Sequence, residues 1–69
     1  MEAGMKAVLL RLGQVEAATG LKKSAIYARI KTGKFPAAVR LGSRSVAWRS
    51  DDIQAWIDAL PKVEQEGTA

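Results

Sequence analysis

Neither cysteine nor histidine occurs in the 69 residues. Their absence removes disulfides, thiolate nucleophiles, the commonest general base at neutral pH and the usual zinc ligands. Ser24, Ser43, Ser45 and Ser50 are left with no evident base to activate them. No glycine-rich phosphate loop joins a strand to a helix. An enzyme is therefore not expected, nor a cofactor, a metal or a small-molecule ligand. Long apolar runs are equally scarce. Ala7-Val8-Leu9-Leu10 is too short for a signal-peptide core or a membrane span, which predicts a soluble cytoplasmic protein with no membrane partner. A chain of 69 residues makes one domain at most. A domain of that size buries about 60% of the surface its unfolded chain exposes.

The most informative shortage is local. Residues 22–49 contain no aspartate or glutamate, yet they hold Lys22, Lys23, Arg29, Lys31, Lys34, Arg40, Arg44 and Arg49. Residues 1–21 balance Lys6 and Arg11 against Glu2 and Glu16. Residues 50–69 set Lys62 against Asp51, Asp52, Asp58, Glu64 and Glu66. Solvated surfaces normally mix both signs, so a long block of one sign calls for an anionic partner.

The apolar pattern supplies a scaffold for that charge. Residues 1–7 read as a flexible N-terminus, residues 8–60 as one folded domain and residues 61–69 as a disordered tail. Val8 to Arg11 fits a short strand. Gly13 to Thr19 fits a helix with Leu12, Val15 and Ala18 inward and Gly20 as its stop. Lys23 to Thr32 fits a second helix, with Ile26 and Ile30 as its core stripe and Gly33 as its end. The period then changes. Val39-Arg40-Leu41 and Val46-Ala47-Trp48-Arg49 alternate about Gly42-Ser43-Arg44-Ser45, which predicts a β-hairpin with Val39, Leu41 and Trp48 inward. Ser50 is placed to cap a third helix, with Asp51 and Asp52 favoured by the helix dipole. Ile53, Trp56, Ile57 and Leu60 form its amphipathic stripe, and Pro61 stops it.

Two helices joined by a tight turn and followed by a basic hairpin predict an α+β winged helix-turn-helix of three short helices. Such a unit sets its second helix in the major groove of double-stranded DNA. With Ile26 and Ile30 inward, Ser24, Ala28 and Lys31 face outward, flanked by Ala25 and Arg29. Lys22 and Lys23 stand at the entrance of this helix, where phosphates are attracted. In the hairpin, Arg40 and Arg49 alternate outward, and Ser43 and Arg44 lie in the turn. Arg44, at the tip with little structural work, is the first candidate for a minor-groove or backbone contact. Tyr27 fits either a phosphate contact or a half-buried packing role. Trp48, Trp56 and Phe35 fall on inward positions and read as core.

These residues also carry a resemblance to a known family. Arg11-Leu12, Thr19-Gly20-Leu21, Ser24-Ala25-Ile26-Tyr27 and Ile30-Lys31-x-Gly33-x-Phe35-Pro36 are followed collinearly by Val39-Arg40-Leu41-Gly42-Ser43-Arg44, Ala47-Trp48 and Ile53-Gln54-Ala55-Trp56. The set, over residues 9–60, resembles the AlpA-like prophage regulators and related small excisionases, whose winged helix is similar to MerR-type DNA-binding domains. The resemblance implies a recognition helix at 23–32 and a wing at 39–49. It also implies activation of an integrase gene, or help to an integrase during excision of a mobile element. Lys22 departs from the pattern, standing where the family usually has a serine N-cap.

Other functions compatible with the composition are a repressor or antitoxin-like regulator unconnected with excision, and an adaptor docking an acidic protein. One module covers about 600–1,000 Å² of DNA-facing surface, so several copies on adjacent sites are expected.

Overall fold

A computed structural model describes residues 7–63. The expected flexible N-terminus and tail lie outside these residues, apart from Ala7 and Pro61 to Val63, which carry no regular element. The elements are β1 (Leu9–Leu10), α1 (Leu12–Thr19), α2 (Lys23–Lys31), β2 (Val39–Arg40), β3 (Val46–Arg49) and α3 (Ser50–Ala59). The three strands form one antiparallel sheet in the order β1-β3-β2. Val39 pairs with Ala47 and Arg40 with Val46, which makes the expected hairpin. Leu9 pairs with Arg49 and Leu10 with Trp48, adding a third strand from the far end of the domain.

The α+β winged-helix architecture is thus present, with the central strand β3 packed against both α1 and α3. Val15, Ile26, Phe35, Trp48 and Ile53 make the core. Leu10, Leu12, Leu21, Ile30, Val46, Trp56 and Ile57 pack around it. Both indoles are structural. Trp48 Nε1–H donates to Pro36 O (3.1 Å) and Trp56 Nε1–H donates to Lys34 O (2.8 Å). Phe35 meets Trp56 edge-on with ring centroids 4.8 Å apart. The irregular stretch between α2 and β2 is therefore fastened by two hydrogen bonds and an aromatic plug.

Four expectations need correction. Ala18 is exposed, and Thr19 turns inward in its place, its hydroxyl donating to Val15 O (2.8 Å) and accepting from Leu21 N–H (3.2 Å). Leu41 is 47% exposed, because β2 ends at Arg40 and the chain must already turn. Leu60 is 50% exposed. It stands outside α3 in extended conformation, as a residue before proline prefers. Ser50 is the first residue of α3 and not its cap; Arg49 holds the cap position without a side-chain hydrogen bond. The Ser50 hydroxyl instead accepts from Val8 N–H (2.8 Å), while Ser50 N–H donates to Val8 O (2.8 Å). This reciprocal pair extends the link between the domain's first strand and the start of its last helix.

The helix-turn-helix is built from backbone rules. Gly20 ends α1 at φ 78°, donating to Glu16 O (2.8 Å), and the chain turns through Leu21 and Lys22. Gly33 ends α2 at φ 77°. Gly33 N–H donates to Ile30 O (3.0 Å) and Lys34 N–H to Arg29 O (2.7 Å), the paired bonds of a Schellman stop. At the other end of α2, Lys22 has extended dihedrals (φ −95°, ψ 167°) and supplies no side-chain cap. A serine there would satisfy one orphan N–H. Lys22→Ser should therefore stabilise the domain by about 1 kcal/mol, raising Tm by roughly 4–8 °C. An unchanged Tm in thermal unfolding by circular dichroism would contradict the role assigned to this position.

Candidate nucleic-acid interface

On α2 the inward positions are Ile26, fully buried, and Ile30, half-buried. The helical repeat then forces Ser24, Ala28 and Lys31 outward, and all three are exposed. Arg29 is exposed as well, whereas Ala25 is half-buried on the flank. Lys22 and Lys23 lie exposed at the helix entrance, where the first N–H groups of α2 receive no bond from the cap side chain. This end of the helix combines two ammonium groups with the positive end of the helix dipole.

Tyr27 packs as one of its two expected roles requires. Its ring lies edge-on against Trp48, with centroids 6.1 Å apart, while 41% of the residue stays exposed. The contact also links two elements. Trp48 belongs to β3, so the second helix is joined through one indole to the strand that carries the hairpin.

The hairpin tip is closed by Leu41 N–H and Gly42 N–H, both donating to Ser45 O (2.8 and 3.3 Å). Arg40 folds back over it, its Nη1 donating to Ser43 O (3.3 Å). Ser43 is exposed but its carbonyl is thereby used within the turn. Arg44 is exposed and makes no hydrogen bond or ion pair among the described residues. Arg49 is different. Its Nε and Nη2 donate to the two oxygens of Asp51 (3.1 and 3.0 Å), a forked ion pair at the strand-to-helix junction. The hydrogen bond from Arg49 holds the Asp51 carboxyl below its ordinary pKa, and the same bond raises that of Arg49. Asp51 thus both faces the start of α3 and occupies a guanidinium.

All eight cations of residues 22–49 are exposed. The second helix carries four of them at or within its ends, and the hairpin with its flanks carries three. Lys34 follows the stop of α2. Arg11 joins them from outside that block, its Nε donating to Val46 O (3.1 Å). Local sequence gave no reason to place Arg11 beside the hairpin, since it is 35 residues away along the chain. Its only signal was membership of the Arg11-Leu12 pair within the family pattern. Among the described residues no group of His, Cys, Asp and Glu could hold a metal ion, and no helix is long and apolar enough to cross a membrane.

A family model described as Prophage CP4-57 regulatory protein (AlpA) matches residues 8–61. Among curated proteins, the Uncharacterized protein ORF88 of Enterobacteria phage P4 is 42% identical over 48 residues, covering 70% of this chain and 54% of the relative. The chain spans about half the length of that relative. No solved structure matches.

Proposed function

Because this chain belongs to the AlpA family of prophage regulatory proteins, we propose that it regulates a mobile element by binding specific double-stranded DNA. The regulation is of transcription or of integrase-driven excision, on the nucleoid in the cytoplasm. In this reading α2 enters the major groove, and Arg44 lies on the backbone or in the neighbouring minor groove. Lys22 and Lys23 grip phosphates at the helix entrance, Arg29 and Lys31 reach base edges or phosphates, and Ser24, Ala25 and Ala28 allow close approach. Tyr27 offers its hydroxyl to a phosphate while its ring stays on Trp48. Arg40 and Ser43 shape the wing, and Arg49 adds a contact when Asp51 releases it. The observation that carries the reading is the exposure of eight cations in a stretch free of acids. Several copies on adjacent sites would enlarge a footprint that is small for one module.

The test is a fluorescence titration against DNA from upstream of the protein's own coding sequence, beside a scrambled duplex, at about 50 and 200 mM salt. Affinity at least ~10³-fold tighter for the natural fragment is expected of a sequence-specific regulator. Equal and steeply salt-dependent binding to both duplexes would mean a non-specific DNA binder. Binding to neither would overturn the reading and favour an adaptor with an acidic partner.

The Arg49–Asp51 pair yields a further expectation. Asp51 has a lowered folded pKa, so the pair's contribution is present above the ordinary carboxylate range and is lost as pH falls through the folded value. At neutral pH the pair is therefore intact and Arg49 is occupied. Asp51→Asn should release it, tighten DNA binding several-fold and steepen the salt slope by about one. An unchanged slope would mean that Arg49 makes no phosphate contact.

A further inference from the structure

Residues 22–49 lack not only acids but also asparagine and glutamine. That shortage restricts how any base could be read. In the major groove, adenine is recognised bidentately by Asn or Gln, and the cytosine amino group by Asp or Glu. Neither α2 nor the hairpin can supply those groups. Arg29 and Lys31 suit guanine, which leaves A·T pairs without an amide or carboxylate reader. Thr32 is occupied, its hydroxyl donating to Ala28 O (3.4 Å) and Arg29 O (3.2 Å). The exposed Ser24 hydroxyl can bond to either kind of base pair and so discriminates little. The feature of an A·T pair that this surface can read distinctively is the thymine 5-methyl group, by apolar contact.

The surface of α2 provides for that contact. Ala28 presents its methyl group on the exposed side, opposite the buried Ile26. Tyr27, Ala28, Ile30 and Lys31 line a shallow depression along the helix. One wall is fixed, because the Tyr27 ring is held edge-on against Trp48. The lysine stem contributes methylenes to the other side. A methyl-sized group fits this surface chemically, whereas a hydrogen-bonding base edge would find few partners there.

We propose that α2 distinguishes A·T pairs in its target through thymine 5-methyl groups packed against Ala28 and the Tyr27–Lys31 depression. The proposal rests on the DNA-binding reading above and adds its mode of recognition. Ala28 is then a specificity-determining residue, although it carries no polar atom in its side chain.

The experiment takes the tightest-bound duplex from a random-sequence selection and replaces each thymine in turn with deoxyuridine, which removes the 5-methyl group alone. The intact protein should lose about fourfold in affinity at each contacted thymine, the value of one buried methyl-sized group. In Ala28→Gly the penalty for uracil should vanish at one such position while other positions keep theirs. Specific binding that is indifferent to uracil at every position would overturn this proposal and leave the DNA-binding reading standing. A selection that yields no duplex preferred over a scrambled one would overturn both. The uracil series uses the unaltered protein, so instability of the glycine variant cannot disguise the answer.

Discussion

Replacing Trp48 with alanine should leave the domain unfolded at 25 °C, seen as loss of far-UV helical signal without denaturant. Trp48 is fully buried and stands on the central strand. It pairs across to Leu10, touches the Tyr27 ring and closes over the Val15, Ile26, Phe35 and Ile53 cluster. Truncating a buried tryptophan costs about 3–5 kcal/mol. Domains hold roughly 0.05–0.15 kcal/mol per residue, or about 3–10 kcal/mol for a chain this short. Its small core puts it toward the lower end of that span. The loss therefore equals or exceeds most of what is available. Trp48→Phe separates packing from hydrogen bonding. It keeps an aromatic ring but strands Pro36 O, which now accepts from Nε1. About 1–3 kcal/mol should be lost in urea unfolding, with a cooperative transition retained. A Trp48→Ala protein that unfolds at the wild-type midpoint would show that Trp48 does not hold the core together.

Much of this core was legible because periodicity is local. Ile26 with Ile30, and Ile53 with Trp56 and Ile57, announce helical faces within a few residues of chain. The hairpin itself followed from alternation on both sides of a turn-rich tetrapeptide, but its register did not. Val39 pairs with Ala47 and Arg40 with Val46, so Leu41 falls into the turn, and Ala47 is buried along with Trp48 on the central strand. What was not legible depends on partners far away. The strand at Leu9–Leu10 was expected, but its pairing with β3 joins residues about forty apart, and no local pattern specifies it. Ser50 looked like a cap by position, yet Val8 takes its hydroxyl once that strand is in place.

The candidate binding surface divides the same way. Charge content and the outward face of α2 could be read directly from spacing. The engagement of Arg49 by Asp51 could not, because it requires β3 to pass straight into α3 without a linking residue. Nor could the inward turn of Thr19, whose hydroxyl satisfies Val15 O and Leu21 N–H where an alanine would satisfy neither. Side-chain hydrogen bonds of this kind follow from backbone geometry, which composition alone leaves open.

The cations themselves predict the largest effect on binding. Replacing Lys22, Lys23, Lys31 and Arg44 together with alanine should flatten the dependence of log affinity on log salt by about 3–4, at ~0.9 per phosphate contact on duplex DNA. Between 50 and 200 mM salt the unaltered protein should then lose about a hundredfold more affinity than the variant. These four side chains are exposed and make no ion pair among the described residues. Circular dichroism at the assay temperature should show an unchanged fold. Arg40→Ala is the contrasting case. Its guanidinium already bonds to Ser43 O, so its loss should act through the shape of the wing and move the slope by less than one. Ala28→Gly should leave the slope where it was, since the residue carries no charge. Charge variants would thus weaken binding to natural and scrambled duplexes alike, whereas Ala28 variants would erode the difference between them. Parallel salt slopes for the quadruple variant and the unaltered protein would show that these cations do not meet phosphates. The acid-free block would then have to serve some other anionic partner.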